Sequence, residues 1–288
     1  MKNNYQIRTD FADELITKKI QSKTYTHTEK QNDYVKSNYI TILEEENELG
    51  KAKGEYVSIE CVNIHDQQAR EDMVCAVSES LHCMWDSTHQ LLDKILVVGL
   101  GNRDITSDAL GPNVASEILV TAHLYANDYK QSLKGTREVA VIQPGVMGQT
   151  GLESFAIVES IVQFYKPDLV IAIDALATRT LSRINRVVQI NNTGIQPGSG
   201  VGNHRLALNE KTLHVPVIAI GVATVTSIGA ILQDVLDTNN QTYLKKIKKQ
   251  TPLDLIVTPK SIDDEMKQLV YIVSESINRF LHPSYRNL

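Results

Sequence analysis

The chain has 288 residues, of which 42% are hydrophobic and 22% are charged. This length makes one large domain or two small ones, and the composition excludes disordered, collagenous and low-complexity proteins. A net charge of -5 disfavours a dedicated nucleic-acid binder, because such proteins present a basic field to phosphates. The apolar runs are far shorter than the roughly 20 residues that cross a bilayer, and the N-terminal part lacks the apolar block of a secretory signal. We therefore expect a cytoplasmic protein that binds neither membrane nor nucleic acid.

The apolar pattern predicts strands and helices over most of the chain. Residues 1–54 are polar without a persistent core face, so we interpret them as a lead segment rather than a separate domain. Residues 56–62 alternate like a strand, and residues 67–85 carry apolar side chains at helical spacing. Further strands are predicted at residues 95–98, 139–142, 168–173, 187–190 and 215–220. Further helices are predicted at residues 111–124, 151–165, 223–236 and 262–281.

Strand, turn and helix follow one another from residue 95 onward, which is typical of α/β proteins. The run 168–173 is apolar on both faces, as a parallel strand covered by helices must be. No internal repeat and no convincing linker divides the sequence. We therefore predict one three-layer α/β domain over residues 1–288, built on a mostly parallel central sheet.

Two aspartates follow predicted central strands, at the edge of the sheet where open α/β proteins bind ligands. Asp108 lies in GLGNRDITSDALGP (99–112), and Asp174 begins DALATRT (174–180). A buried carboxylate is unfavourable unless it pairs, caps a turn or shares a proton, so a structural role is one interpretation. The other is chemical, because two carboxyls within reach of one water can act on it as base and acid. The residues alone leave both interpretations open.

Other residues near the predicted strand ends indicate weaker alternatives. The turn at Gly99 begins like a dinucleotide-binding loop, but Asp104 stands where a third glycine is required, so we predict no cofactor. His123 with the two aspartates could supply mixed ligands to a transition metal. The histidines show no recognised metal-binding spacing, however, and we predict no bound metal.

A glycine-rich loop follows the predicted strand at residues 187–190. Its backbone N–H groups could bind an oxyanion or a substrate, although it has no P-loop signature. Tight turning explains the same glycines equally well. Ser199 with His204 is the one local pair that resembles a serine nucleophile and its base. The candidate loop residues are Gly198, Ser199, Gly200 and Gly202.

These segments resemble the germination protease family, the spore endopeptidases that degrade small acid-soluble spore proteins. The motifs VVGLGNRDITSDALGP, PGVMGQTGLES, VIAIDALATR, INNTGIQPGSGVGNHR and VPVIAIGVATV follow the family's order over residues 95–225, and LIVTPKSID resembles its C-terminal part. The resemblance implies that Asp108 and Asp174 are the catalytic pair of an endopeptidase. It also implies a fold shared with hydrogenase-maturation endopeptidases and purine-phosphorylase-like proteins, and a homotetramer. It further implies synthesis as an inactive precursor, and a location in the cytoplasm of the developing spore and in the spore core.

Members of this family remove an N-terminal propeptide at a site similar to those in their substrates: an acidic residue, a bulky apolar residue, Ala, any residue and Glu. The sequence Asp10-Phe11-Ala12-Asp13-Glu14 fits that pattern. The resemblance therefore implies self-processing between Asp10 and Phe11, with residues 1–10 as the propeptide.

Two rival functions remain open from the sequence. One is a metal-dependent endopeptidase of the hydrogenase-maturation type, with the same aspartates as ligands. The other is a non-catalytic module that binds a peptide or an anion through the glycine-rich loop. The chain is also shorter than the longer family members between Leu236 and Leu253, which leaves the subunit contacts open.

Overall fold

The computed structural model describes residues 9–16, 22–86, 91–126, 134–196, 206–236 and 255–284. Nine strands lie within these ranges: β1 (Tyr25–Gln31), β2 (Val35–Ile42), β3 (Gly54–Cys61), β4 (Lys94–Gly99), β5 (Glu138–Ile142), β6 (Leu169–Ala177), β7 (Val187–Asn191), β8 (Val217–Ser227) and β9 (Ile256–Val257). Each of the six predicted strands corresponds to one of these, from β3 to β8.

The same ranges contain eight α-helices: α1 (Gln67–Asp86), α2 (Leu110–Ser116), α3 (Ala122–Tyr125), α4 (Met147–Thr150), α5 (Ser154–Tyr165), α6 (Glu210–Leu213), α7 (Ile228–Leu236) and α8 (Ile262–Leu281). The predictions of α1 and α8 are confirmed. None of these described helices is long and apolar enough to cross a membrane.

The strands form one mixed sheet in the order β1-β2-β3-β7-β8-β6-β4-β5, with β9 paired to β8. Parallel pairing joins β5 to β4, β4 to β6 and β6 to β8, whereas β1, β2, β3 and β7 pair antiparallel. The α/β class is therefore confirmed, and the expectation of a mostly parallel sheet is wrong.

Short connections explain the antiparallel half. A parallel pairing needs a crossover of a dozen or more residues, usually a helix. Residues 32–34 alone join β1 to β2, and Asn32 Oδ1 closes that turn by accepting the N–H of Val35 at 2.7 Å. A short stretch containing the 3-10 turn Leu181–Arg183 joins β6 to β7. Each of these connections reverses the chain direction instead of carrying it back over the sheet.

Apolar clusters cover both faces of the sheet at β4. Ile95 and Val97 belong to a cluster with residues of α1, α2 and α8, while Leu96 and Val98 belong to one with residues of α5. Since side chains alternate along a strand, successive residues of β4 pack against different helical layers. The helices therefore lie in two layers with the sheet between them.

Part of the predicted lead segment belongs to the sheet, so its description as a stretch without a core face is wrong. Ile40 and Ile42 of β2 are buried, and so is Phe11 ahead of β1. The hydrophobic periodicity of this segment is weak because β1 is mostly exposed and polar and because β2 buries Ser37 and Asn38 beside its apolar residues. Edge strands with polar exposed faces give little hydrophobic periodicity.

Two central strands run further than their apolar cores suggested. β6 continues to Ala177, so Asp174 lies inside the strand rather than closing it. β8 continues to Ser227, through residues that were predicted to begin a helix. The two strands pair with each other beyond Asp174, and this parallel partner keeps both extended.

The helix predicted at residues 111–124 ends early. α2 stops at Ser116, and the side chain of Asn278 in α8 takes over the backbone hydrogen bonds there. Its Nδ2 donates to the carbonyl oxygen of Glu117 at 3.0 Å, and its Oδ1 accepts the N–H of Leu119 at 2.9 Å. A distant side chain therefore sets this helix end.

Candidate active site

Asp174 lies in β6 at the point where this strand passes the end of its neighbour β4. Ile173 is in register with Gly99, the last residue of β4, and Asp174 is in register with Gly221 of β8. The Asp174 side chain is buried, at 6% exposure, and its Oδ1 accepts the N–H of Ala175 at 2.9 Å. The residue is thus fixed at the carboxyl edge of the parallel strands.

Asp108 closes the 3-10 turn Thr106–Asp108, which connects β4 to α2. Its Oδ2 accepts the backbone N–H of Asn102 at 2.8 Å. The hydroxyl of Thr224 in β8 donates to the carbonyl oxygen of Ser107 at 2.7 Å. The turn is therefore tied to the strand that also pairs with β6.

Two glycines allow the Asp108 turn and the Asp174 strand to pack together. Gly101 has φ +114°, and a Cβ there would lie 2.1 Å from the carbonyl oxygen of Asp108. A Cβ at Gly111 in α2 would lie 2.5 Å from the carbonyl oxygen of Ile173, the residue before Asp174. No side chain fits at such distances. The structure thus brings the segments of both predicted aspartates to one edge of the sheet.

A glutamine from the segment after β5 reaches the same edge. Nε2 of Gln149 in α4 donates to Oδ1 of Asn102 at 2.7 Å and to Oδ2 of Asp104 at 3.0 Å. Asp104, which stands where a dinucleotide-binding turn has a glycine, therefore has a hydrogen-bonding partner in α4. The residues gave no reason to single out Gln149 beyond its place after a predicted strand.

His123 lies away from the two aspartates. It is exposed on α3, and α3 follows Thr121, whose N–H donates to the carbonyl oxygen of Val139 near the start of β5 at 3.1 Å. This is the amino end of the parallel strands, whereas the aspartates lie at the carboxyl end. Within the described ranges no three His, Cys, Asp or Glu side chains form a group that could hold a metal ion. The alternative of His123 and both aspartates as metal ligands is therefore wrong.

The predicted anion-binding or substrate loop lies outside the described part of the chain. This applies to each of its candidate residues, Gly198, Ser199, Gly200 and Gly202, and to His204. The chain on its two sides is paired, because Ile195 and Leu208 exchange backbone hydrogen bonds of 2.9 and 2.8 Å. Leu208 belongs to the α5-side cluster, as does Ala172 of β6. Since Asp174 is two residues after Ala172, its side chain points to that same face.

Residues 9–16 cross the sheet on this face, starting at the end of β6. The N–H of Asp10 donates to the carbonyl oxygen of Ala177 at 3.0 Å, and Asp10 Oδ2 accepts the N–H of Ala177 at 2.8 Å. Phe11 and Ala12 are fully buried. The residues of the predicted cleavage site are therefore packed into the fold.

Two side chains donate to the carbonyl oxygen of Asp10, which belongs to the peptide bond predicted to be cleaved. They are Nζ of Lys51 and Nε2 of Gln189, each at 3.0 Å. Oε1 of Gln189 also accepts the N–H of Ala12 at 2.9 Å. Burial lowers the pKa of Lys51, against the opposing effect of the Asp10 and Glu14 carboxylates. One lysine and one glutamine thus hold the backbone on both sides of Phe11.

Arg183 neutralises the two acidic side chains that follow Ala12. Its guanidinium contacts Asp13 through Nη2–Oδ2 at 2.7 Å and Nη1–Oδ1 at 3.2 Å, and Nη1 lies 3.2 Å from Oε1 of Glu14. The side chains of Arg183, Asp13 and Glu14 are all less than 10% exposed. The guanidinium also lies over the ring of Phe11, 5.0 Å from its centroid. One arginine therefore contacts three residues of the segment.

Glu14 is held by hydroxyl and backbone donors as well as by Arg183. Burial alone raises the pKa of its carboxyl. Hydrogen bonds from the hydroxyls of Thr178 and Thr9 and the N–H of Arg179, together with the charge of Arg183, outweigh burial and lower the pKa below its ordinary value. Glu14 is therefore stable as a buried anion.

Sequence reasoning missed Lys51, Arg183 and Gln189. They lie 41, 170 and 179 positions from their partners in the segment, and no motif surrounds them. One signal was present: acidic residues next to the apolar pair Phe11 and Ala12 need a basic partner if that pair is buried.

Comparison with known proteins connects this geometry to a family. A family model described as germination protease matches residues 5–253. The germination protease of Oceanobacillus iheyensis is 42% identical over 248 residues, covering 81% of this chain and 67% of that protein. That of Clostridium tetani is 37% identical, with 87% and 86% covered, and that of Bacillus subtilis is 38% identical, with 87% and 71% covered. The chain therefore belongs to the germination protease family and is an endopeptidase.

Proposed function

We propose that this endopeptidase starts the degradation of small acid-soluble spore proteins by cutting peptide bonds after acidic residues, with Asp108 and Asp174 activating the attacking water. The observation that carries the proposal is the close packing of Gly111 against Ile173, which joins the Asp108 turn to the Asp174 strand. The motifs DALGP and IDALA, which contain these residues, support the choice of aspartates.

In this mechanism, one carboxylate takes a proton from water while the water oxygen attacks the carbonyl carbon of the peptide bond. The other aspartate, in its protonated form, donates a hydrogen bond to the carbonyl oxygen as negative charge develops there. The tetrahedral intermediate then collapses, the C–N bond breaks, and the leaving nitrogen receives the proton that was taken from water. Asp108 and Asp174 are not assigned separate roles, because such a pair acts as one unit. The mechanism requires no metal and no cofactor.

We also propose that backbone N–H groups of the glycine-rich loop stabilise the oxyanion. The candidates are Gly198, Ser199, Gly200 and Gly202. The pairing of Ile195 with Leu208 supports this, because it fixes the base of the loop on the sheet face to which Asp174 points. Donors of this kind contribute about 3–4 kcal/mol to transition-state stabilisation in other enzymes.

The precursor form is part of the proposal. Residues 1–10 act as a propeptide, and the chain removes it by cutting between Asp10 and Phe11. The sequence of residues 10–14 supports this, and so does its position on β6, the strand that carries Asp174.

The remaining proposals follow from family membership. The fold is that of hydrogenase-maturation endopeptidases and purine-phosphorylase-like proteins, residues 1–288 act as one peptidase domain, and the protein works in the cytoplasm of the developing spore and in the spore core. The parallel order β5-β4-β6-β8 in one half of the sheet supports the fold. We propose a homotetramer, for which Phe164 on α5, 85% exposed, is a candidate apolar contact. Light scattering at several protein concentrations tests the subunit number, and a monomer throughout would contradict the tetramer.

Asp108→Asn and Asp174→Asn test the catalytic pair, and Asp263→Asn on the exposed first turn of α8 is the matched control. We expect each site variant to slow both the cleavage of a small acid-soluble spore protein and the appearance of an N-terminus at Phe11 by about 10²–10⁴-fold. The circular dichroism spectrum should stay unchanged, and the control should keep its activity.

Retained cleavage in either site variant would contradict the pair. Activity that disappears with a chelator and returns with a divalent metal would favour the metal-dependent alternative. A substrate that the unaltered protein binds but never cuts would favour the non-catalytic binding module.

A further inference from the structure

We propose that the surface holding residues 10–14 is the recognition site for acidic peptide substrates, and that the precursor fills this site with its own N-terminal segment. The surface, called the cradle below, comprises the residues that bind or enclose this segment. The inference rests on the proposed function in taking residues 10–14 as similar to a substrate cleavage site. The polar members of the cradle are Ser58, Asn38, Lys51, Thr178, Arg183 and Gln189.

One set of cradle contacts binds the backbone of the segment and does not depend on its side chains. Gln189 of β7 donates to the carbonyl oxygen of Asp10 and accepts the N–H of Ala12. Ala177 of β6 accepts the N–H of Asp10, and Lys51 donates to the same carbonyl oxygen as Gln189. Because these bonds use main-chain atoms of the segment, another peptide that follows the same backbone path, with a 3-10 turn after its second apolar residue, can make them equally well.

Apolar contacts select the two residues after the scissile bond. Phe11 packs in a buried cluster with Leu176, Val187 and Ala223, from three different strands. Ala12 belongs to a second cluster, with residues of β2 and β3, and has no exposed surface. The first position therefore takes a large apolar side chain, whereas the second has room for a small one only.

Charged and polar contacts bind the next two side chains: Asp13, where the family's cleavage pattern allows any residue, and Glu14, where the pattern has Glu. Arg183 binds Asp13 with two nitrogens and also contacts Glu14. Ser58 Oγ and Asn38 Nδ2 donate to the two carboxylate oxygens of Asp13 at 3.1 and 3.3 Å. The cradle groups at these positions are buried hydrogen-bond donors. An acidic side chain accepts their hydrogen bonds, whereas a basic side chain leaves them unpaired.

The cradle lies beside the proposed catalytic residues. Leu176, which contacts Phe11, is two residues after Asp174 in β6, and both side chains point to the same face. At about 3.3 Å per residue, their Cα atoms are roughly 7 Å apart. A peptide that takes the place of residues 10–14 therefore packs its large apolar side chain against the same face of β6 that carries Asp174.

The cradle cannot hold a substrate while residues 10–14 occupy it. Phe11 and Ala12 leave no exposed surface, and Arg183 is enclosed by Asp13 and Glu14. A substrate must replace the segment, so the precursor is blocked by a peptide of the same chemical class as the one it recognises.

Peptide binding tests this directly in the full chain carrying Asp174→Asn, so that cleavage does not interfere. The probe is the fluorescein-labelled peptide TDFADELI, the sequence of residues 9–16. A second version replaces the two middle acidic residues by their amides, TDFANQLI. In the loosened chain, Asp13→Asn and Glu14→Gln weaken the binding of residues 10–14 to the cradle. The matched control chain carries Asp263→Asn and Asp264→Asn, which change two exposed carboxyls on α8.

We expect the loosened chain to bind TDFADELI at least tenfold more tightly than the control chain, as measured by fluorescence anisotropy. TDFANQLI should bind the loosened chain at least tenfold more weakly than TDFADELI. When benzoylphenylalanine replaces the peptide's phenylalanine, photo-crosslinks should map to Leu176, Val187 or Ala223.

Equal binding by the loosened and control chains, or crosslinks outside the cradle, would overturn the inference. If the loosened chain does not fold, Phe11→Ala replaces the two substitutions, since it removes the apolar anchor and leaves every charge in place. The result is separate from that for the catalytic pair. Retained cleavage in Asp174→Asn would remove the pair but would leave the binding and crosslinking data to decide the cradle.

Discussion

The carboxylates of Asp108 and Asp174 at the edge of the sheet and those of residues 10–14 in the cradle are bound through different kinds of contact. At the edge, carboxylates bind backbone N–H groups close in sequence, since Asn102 lies six positions from Asp108 and Ala175 is adjacent to Asp174. In the cradle, Arg183 reaches Asp13 across 170 positions. Local contacts form within one strand-turn-helix unit, whereas contacts of this range need most of the fold in place. The two regions should therefore respond differently to substitution.

Removing the central cation of the cradle should have the largest effect on stability. Arg183→Met leaves Asp13 and Glu14 buried without their positive partner, and breaking a buried ion pair in this way costs about 3–5 kcal/mol. We expect the loss to appear as release of the segment. Hydrogen exchange followed by mass spectrometry should show rapid exchange at Phe11 and Ala12, with β4 and β6 still protected.

Lys94→Met is the matched control from the parallel half. Lys94 and Glu138 form an ion pair of 3.3 Å with side chains 33% and 24% exposed. Such a partly solvated pair contributes about 0–1 kcal/mol, and the segment should keep its protection. If Arg183→Met and Lys94→Met reduced the protection of Phe11 and Ala12 by similar amounts, Arg183 would not be what holds the segment in the cradle.

A methyl group at Gly111 tests the edge. A Cβ there would lie 2.2 Å from the carbonyl oxygen of Leu100 and 2.5 Å from that of Ile173, so the backbone of α2 must move away from β6. Gly111→Ala should destabilise the fold by about 1–3 kcal/mol, as overpacked sites do, and should slow cleavage by displacing Asp108. Urea unfolding and peptidase assays measure the two effects.

Gly148→Ala is the control for this substitution. Gly148 also lies in a helix, α4, but nothing stands within 4 Å of a Cβ at that position. Alanine should therefore be neutral there or stabilise the helix by up to about 1 kcal/mol. If both glycine variants had the same stability, tight packing between α2 and β6 would not be what positions Asp108.

The position of the edge could be predicted from the sequence because local patterns indicate the strands and turns that meet there. Short apolar runs indicated β4 and β6, and the rule that ligands bind at the carboxyl ends of parallel strands brought Asp108 and Asp174 to the same place. α8 has the predicted bounds because its apolar residues recur at helical spacing along its whole length. In these cases the apolar pattern that predicts the strand or helix lies within the same segment of sequence.

The cradle could not be predicted because its partners come from separate parts of the chain. Lys51 follows β2, Arg183 lies in a turn before β7, and Gln189 lies inside β7. None of these positions is distinctive until the sheet order β3-β7-β8-β6 brings them together. The early end of α2 has the same cause, since Asn278, which binds Glu117, is 161 positions away.

Acid should weaken the cradle by a smaller amount through Glu14. Because the pKa of Glu14 in the fold is below its ordinary value of 4.5, its contribution is complete above about pH 4.5 and is lost as the pH falls through the lowered value. Hydrogen exchange at Phe11 and Ala12, corrected for its intrinsic pH dependence, should thus stay slow from pH 7 to pH 5 and accelerate below 4.5. Glu14→Gln should begin with faster exchange at pH 7 and show a smaller further change in acid. An unchanged acid response in this variant would show that protonation of Glu14 does not release the segment.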